Sequence, residues 1–121
     1  MQSEWITHKG KRIFYSNLSG FHTDVTALGA EIDESDTVIC QQPENSILVL
    51  VDVRGSVGST EVVQLFKDSS IRTKKYVRKT AVIGISGFRK VLLDAITRFS
   101  GRNATTFDDL DAAKDWLAGP G

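Results

Sequence analysis

Uniformly apolar stretches alternate along the chain with amphipathic segments and short polar turns. The clearest stretch is residues 47–53, whose apolar run at residues 47–51, without alternation, predicts a central strand covered on both faces. A second run of this kind predicts another buried strand within residues 79–86, and a shorter strand is predicted at Ala104–Phe107. Because helical segments separate these strands, the sheet that they form should be mainly parallel.

Apolar side chains recur every three or four residues in four segments, which predicts four amphipathic helices. The first begins after a cap at Thr23 or Asp24 and runs to about residue 42. The third, residues 88–99, has the most regular pattern, and the last follows a cap at Asp108. The residues predicted to face the core are Val25, Leu28 and Ile32 in the first helix, Val62, Leu65, Phe66 and Ser69 in the second, and Leu110, Ala113 and Leu117 in the last.

The N-terminal segment predicts a β-hairpin. Residues 4–8 and 12–18 have strand-like patterns and flank the tight turn Lys9-Gly10-Lys11. The hairpin would add an antiparallel edge strand. The predicted fold is therefore α/β: a mostly parallel four- to five-stranded sheet with helices on both faces, built by a single domain that spans residues 1–121.

Composition agrees with one globular domain of 121 residues, 40% of them hydrophobic and 25% charged. The longest apolar run, residues 47–51, is too short to cross a membrane as a helix. The N-terminal residues lack the apolar core of a secretory signal, so we expect a cytoplasmic protein. Cys40 is the only cysteine, which excludes an internal disulfide.

Charge is balanced overall but unevenly distributed. Residues 1–61 carry four basic and nine acidic side chains, and the remainder carries eleven basic and six acidic ones. The densest basic stretch, here called the basic stretch, consists of Lys67, Arg72, Lys74, Lys75, Arg78 and Lys79. Such a stretch is typical of a solvated helix end, or of a surface that faces an anion, a membrane or an acidic partner. Tyr76 is its only aromatic residue, which disfavours nucleic acid as the partner.

Ligands and partners of parallel sheets approach the carboxyl ends of the strands. The loop that follows residues 47–53 is the most informative of these ends, because it combines glycines and hydroxyls near a predicted helix N-terminus, where free N–H groups favour an anion. Alternatively it is an ordinary turn in which a serine caps the helix. The residues predicted to bind a partner or an anion are Asp52, Arg54, Gly55, Ser56, Gly58, Ser59 and Thr60.

The residues do not predict catalysis. The glycine loop lacks the lysine of a phosphate-binding P-loop. Asp52 lacks the partners of a response-regulator receiver, and Arg54 replaces the second aspartate of haloacid-dehalogenase-type phosphatases. His8 and His22 belong to no metal-ligand spacing, and no nucleophile and base are spaced as a dyad or triad. We therefore predict no catalytic residue, no metal and no cofactor.

Motifs spread over residues 9–117 resemble the SpoIIAA-like family, which is described as sharing the STAS and CRAL-TRIO kind of fold. The matching segments are Gly10-Lys11-Arg12-Ile13, Ser19-Gly20, Pro43-Glu44-Asn45-Ser46, the strand that ends at Asp52, Tyr76-Val77-Arg78-Lys79, Ala81-Val82-Ile83-Gly84, Gly87-Phe88-Arg89-Lys90, Phe107-Asp108-Asp109-Leu110 and Ala113-Lys114-Asp115-Trp116-Leu117.

The resemblance implies a non-enzymatic regulatory module that binds a protein partner. In STAS anti-sigma-factor antagonists, a phosphorylatable serine within an Asp-Ser-Ser-Gly signature begins the helix after the central strand. This chain has Gly55-Ser56-Val57-Gly58-Ser59-Thr60 there instead of the signature. Ser59 is the nearest candidate phosphosite, with Ser56 and Thr60 next to it.

An alternative function is the binding of a small anionic or lipid-like molecule, as CRAL-TRIO relatives imply. The basic stretch would then supply charge, and a cavity under the helix of residues 88–99 would supply apolar contacts. An enzyme ranks third, because no set of catalytic groups is recognisable. The oligomeric state stays open.

Overall fold

A computed structural model of the chain describes residues 1–55, 59–84 and 104–120. Within these ranges five strands form one sheet, and three helices are present. The strands are β1 (Glu4–His8), β2 (Lys11–Asn17), β3 (Ile47–Asp52), β4 (Val77–Ile83) and β5 (Ala104–Phe107), and the helices are α1 (Val25–Ile39), α2 (Thr60–Thr73) and α3 (Leu110–Ala118). The predicted α/β fold is confirmed.

The sheet has the spatial order β1-β2-β3-β4-β5. The N-terminal hairpin pairs β1 with β2 antiparallel, and the other neighbouring strands pair parallel. The two turn residues of the hairpin, Lys9 and Gly10, have φ values of 50° and 79°. Left-handed backbone at both positions is what a two-residue turn needs to match the twist of its strands. The predicted hairpin and its edge strand are therefore confirmed.

Strand β3 is buried on both faces, which explains its unbroken apolar run. Leu48 and Leu50 pack towards Leu117 of α3. Val53, just beyond the strand, packs on the other face with Leu28 of α1. A strand with polar side chains on one face could not occupy this place, because they would be buried without water.

Several elements differ by a few residues from the predicted bounds. Helix α1 ends at Ile39 rather than near residue 42, because the next N–H groups turn back to carbonyls three residues earlier, Gln41 to Val38 at 3.2 Å and Gln42 to Ile39 at 3.1 Å. Such tightened turns often end a helix. Strand β4 begins at Val77 rather than at residue 79.

Helix α3 is capped by Asp109 and not by Asp108 as predicted. The carboxylate of Asp109 accepts a hydrogen bond of 3.1 Å from the N–H of Ala112, which is the geometry of an N-cap. The aromatic ring of Phe107 packs against that of Trp116 at 5.6 Å between centroids. The predicted helix of residues 88–99 lies outside the described residues.

An ion pair between two helices fixes the position of α2 against α1. The guanidinium of Arg72 donates to the buried carboxylate of Asp36 at 2.6 and 3.1 Å, and the Ser69 hydroxyl donates to the same carboxylate at 2.8 Å. Burial raises the pKa of Asp36, and the hydrogen bonds from Ser69 and Arg72 offset that rise only in part. The ionised carboxylate therefore depends on Arg72.

Replacing Arg72 should destabilise the protein in a pH-dependent way. We expect Arg72→Gln to lower the free energy of unfolding at neutral pH by about 1–3 kcal/mol, because a buried carboxylate loses its charged partner. The variant raises the folded-state pKa of Asp36 further above the unfolded value. Its penalty should therefore shrink as the pH falls through that pKa towards about 4.

Urea denaturation at neutral and acidic pH measures this effect. The matched control is Lys74→Gln, which removes one exposed charge just beyond the same helix. Equal stability losses for the two variants, or a loss for Arg72→Gln that does not change with pH, would contradict the role assigned to the ion pair.

Candidate functional site

The loops that follow β2 and β3 lie side by side at the carboxyl edge of the sheet. Three backbone hydrogen bonds of 2.8–2.9 Å join these two segments. The N–H of Val53 also donates a bond of 3.0 Å to the carbonyl of Ile83 at the end of β4. The three bonds between the loops run from the N–H of Leu18 to the carbonyl of Asp52, from Gly20 to Arg54 and from His22 to Gly55. The structure thus places the segments 17–20 and 52–55, which the topology rule selects separately, in one continuous surface.

Asp52 is the buried centre of this edge, with no solvent exposure. Its carboxylate accepts hydrogen bonds from the Nε of Arg54 at 3.0 Å, from the Nη2 of Arg54 at 2.7 Å and from the Arg54 backbone N–H at 3.0 Å. The Tyr15 hydroxyl donates a further bond of 2.5 Å. Every polar side-chain atom buried in the described part of the chain has a partner, and Asp52 is the most fully paired example.

The pKa values in this group follow from its geometry. Burial alone would raise the pKa of Asp52, but the hydrogen bonds from Arg54 and Tyr15 outweigh it, and the pKa is lowered. The pKa of Tyr15 is raised to about 12, by burial first and then by the hydrogen bond to the Asp52 carboxylate. The hydrogen bond to Asp52 raises the pKa of Arg54. The group therefore consists of an ion pair between Asp52 and Arg54 and the neutral phenol of Tyr15. Both oxygens of the Asp52 carboxylate accept hydrogen bonds.

Gly84 allows Arg54 to lie this close to the sheet. A Cβ atom at Gly84 would lie 2.6 Å from the backbone nitrogen of Arg54, and the φ of 86° is one that side-chain-bearing residues rarely adopt. The glycine that ends β4 thus makes room for the arginine that neutralises Asp52.

The start of α2 borders the same edge. The Ser59 hydroxyl accepts a hydrogen bond of 3.2 Å from the N–H of Val62, so Ser59 is the N-cap of the helix. Its side chain is partly buried, whereas Thr60 and Glu61 are exposed. Arg54 and Gly55 are exposed as well. Ser56 and Gly58 lie outside the described residues.

The structure divides the basic stretch among different surroundings. Arg72 pairs with Asp36, and Lys75 lies 3.9 Å from the carboxylate of Glu44. Lys79 is buried in β4 and donates a hydrogen bond of 2.8 Å to the carbonyl of Trp116. The register of β3 and β4 shifts at Arg78, so that Ile47 pairs with Val77 and Leu48 with Lys79, and the Lys79 side chain lies on the face of the sheet that α3 covers. The stretch is therefore not one continuous solvated face.

The sequence analysis also considers three other titratable residues, His8, His22 and Cys40. The His8 ring lies 2.7 Å from the carboxylate of Asp115, and His22 has left-handed backbone beside Gly55. Burial raises the pKa of the Cys40 thiol. Among the described residues, no three histidine, cysteine or acidic side chains are grouped as metal ligands, and no helix is long and apolar enough to cross a membrane.

Tyr15 is the member of this site that the sequence analysis misses. It is separated from Asp52 by 37 positions along the chain and lies on the neighbouring strand of the sheet. The parallel register pairs Asn17 with Asp52 and Tyr15 with Leu50, so Tyr15 lies on the same face of the sheet, two residues from the end of its strand. A buried tyrosine hydroxyl needs a polar partner, and Asp52 is within reach.

Titration of Tyr15 tests whether its hydroxyl is bound to an ionised Asp52. In a Tyr76→Phe background, Tyr15 is the only tyrosine and its phenolate absorbance can be followed alone. We expect a pKa of about 12, and a lower pKa when Asp52→Asn removes the negative charge. Circular dichroism at each pH confirms that the fold persists. The same midpoint with aspartate and with asparagine would contradict the arrangement.

Comparison of the chain with protein-family models, with curated proteins and with solved structures finds no match. The grounds for a functional proposal are therefore the fold, the residues at the carboxyl edge and the sequence motifs themselves.

Proposed function

We propose that this protein is a non-enzymatic interaction module of the STAS-like kind. It binds a protein partner through the carboxyl edge of its sheet, which comprises residues 52–55 and the first turn of α2. The observation that carries the proposal is the state of Asp52: the carboxylate with the most suggestive position for chemistry is buried and already fully hydrogen-bonded.

The pairing of Asp52 supports binding rather than phosphoryl transfer. A carboxylate that accepts a phosphoryl group or holds a metal ion needs free lone pairs directed at its ligand. Asp52 directs its lone pairs at Arg54 and Tyr15 instead, so its role is to hold the loop in place. The loop residues then form a rigid platform, as surfaces used for recognition often do.

The exposed residues around this platform suit a partner with polar and charged groups. The Arg54 side chain is 57% exposed even though its guanidinium is bound to Asp52, so one side of it faces solvent. Thr60 and Glu61 are exposed at the start of α2. The edge thus offers both a positive and a negative side chain next to the N-terminus of α2.

Ser59 is suited to act as a switch within this surface. A phosphate on its hydroxyl would add about −1.5 to −2 charges and three acceptor oxygens at a helix N-terminus. The oxygens could replace the present cap by accepting from the first-turn N–H groups, so the helix would persist while the charge of the surface changes. The resemblance to anti-sigma-factor antagonists points to the same position.

The cavity that the lipid-binding alternative predicts, under residues 88–99, lies outside the described residues, and the interior cavity of the described part is too small for a lipid. Pockets for such ligands measure about 300–1,000 Å³. The cavity between α1, α2 and the sheet measures about 60 Å³, and its lining includes Ser35, Asp36, Ser69 and Thr73. A space of this size suits a few water molecules.

Two variants at Ser59 separate the effect of charge from the effect of the helix cap. Ser59→Asp and Ser59→Asn both keep a good N-cap, but only the first adds a negative charge. Each protein, together with the unmodified one, would be used as bait in quantitative affinity purification followed by mass spectrometry. We expect Ser59→Asp to change the recovery of a specific partner by about tenfold, and Ser59→Asn to leave it nearly unchanged.

Circular dichroism establishes that the three baits are equally folded. Identical sets of recovered proteins for all three would contradict a switch at Ser59. Equal changes for Ser59→Asp and Ser59→Asn would also contradict it, because a cap effect would then explain the result.

A further inference from the structure

The amino edge of the sheet, opposite the proposed docking surface, holds a second site. A pocket of about 460 Å³ opens there between the hairpin, the segment that precedes β3 and the start of β4. Its size falls within the range of about 300–1,000 Å³ that is usual for small-molecule sites. Its lining includes the side chains of Lys11, Arg12, Arg78, Lys79, Trp5 and Ser46.

Four cationic side chains from two strands that are not adjacent line this pocket: Lys11 and Lys79 lie on the face of the sheet that α3 covers, and Arg12 lies on the opposite face, where it stacks on Trp5. Lys11 and Arg12 begin β2, whereas Arg78 and Lys79 lie near the start of β4. Among the described residues, no aspartate or glutamate lines the pocket, and none of the four cations forms an ion pair with a carboxylate. The chain as a whole has equal numbers of basic and acidic residues, so this local excess of positive charge is specific to the pocket.

Lys79 gives the pocket a buried cation with unused donors. The residue is only 6% exposed, and its ammonium group lies 4.6 Å from the centre of the Trp116 ring. One of its three N–H groups donates to the Trp116 carbonyl, which holds the side chain in place, and no acceptor in the described part of the chain takes the other two, which can donate to a ligand. Burial lowers the pKa of Lys79, and the charges of Lys11 and Arg78 lower it further. The cations thus repel one another, and an anion would relieve that repulsion.

Arg12 is also held in position before any ligand arrives. Its guanidinium lies 4.1 Å from the centre of the Trp5 ring, and Trp5 packs edge-on against the buried Phe14 at 5.0 Å. Stacking on a fixed ring orients the planar fork of arginine, which matches the geometry of a phosphate group. A site whose donors are ordered in advance loses less entropy on binding.

We propose that the amino-edge pocket binds a small soluble molecule that carries two or more phosphoryl groups. Each phosphate ester carries about −1.5 to −2 charges near neutral pH, so two of them match the four cations. This proposal is independent of the docking surface, because the two sites lie at opposite edges of the sheet and share no residue.

Calorimetric titration of the whole chain with pyrophosphate tests the proposal. The double variant Lys11→Gln/Arg78→Gln removes two exposed cations from the pocket and leaves the buried Lys79 intact. Its matched control, Lys67→Gln/Lys74→Gln, removes two positive charges outside the pocket. We expect the unmodified protein to bind pyrophosphate, and the pocket variant to bind at least about tenfold more weakly. The control should bind within about threefold of the unmodified protein, because distant charges are screened.

A second arm distinguishes a free ligand from a lipid headgroup. Vesicles with and without a phosphorylated inositol lipid are sedimented with the protein, and soluble pyrophosphate is added as a competitor. Binding of free pyrophosphate that depends on Lys11 and Arg78 supports the proposal. No binding by the folded protein, equal weakening in the pocket and control variants, or binding to the vesicles alone would overturn it.

Discussion

One buried ion pair determines the shape of the edge on which the proposed function depends. Asp52 ends the central strand without any exposure to solvent, and an ionised carboxylate in that position is tolerable only because Arg54 and Tyr15 surround it with donors. The pairing draws the chain back over the sheet at Arg54, next to Gly84, where a side chain would not fit. The loop after β2 then follows this path through three backbone bonds. The position of the proposed docking surface is thus a consequence of neutralising one charge.

Charged side chains are arranged differently at the two edges of the sheet. At the carboxyl edge, the Asp52 carboxylate is paired with the guanidinium of Arg54, and the residues that stay exposed form a mixed polar surface. At the amino edge, four cations line one pocket, and no carboxylate of the described residues lines it with them. Paired charges, as at the carboxyl edge, suit shape-dependent recognition of a protein. Neighbouring cations, as at the amino edge, repel one another, and a bound anion relieves that repulsion. The same small sheet can therefore hold two sites of different chemistry.

Periodicity predicts most of the fold because it reflects burial directly. The unbroken apolar run of β3 and the turn at Lys9-Gly10 each have one physical explanation, and the structure contains both elements as predicted. The predicted residue is wrong where two neighbours can play the same part. Asp108 and Asp109 can both cap α3, and the structure uses Asp109. The site is harder to predict, because its decisive contacts depend on strand register. Neither the Tyr15 hydroxyl on Asp52 nor the approach of Lys11 to Lys79 can be seen from positions along the chain.

Amide hydrogen exchange on Arg54→Gln tests the central claim most directly. If the ion pair with Asp52 holds the two loops together, the N–H groups of Gly20 and His22 should exchange much faster in the variant, since their acceptors are the carbonyls of Arg54 and Gly55. Interior amides of β3 should keep their protection, because apolar packing on both faces holds that strand. Unchanged protection at Gly20 and His22 would show that the edge keeps its shape without the ion pair, and would contradict the account.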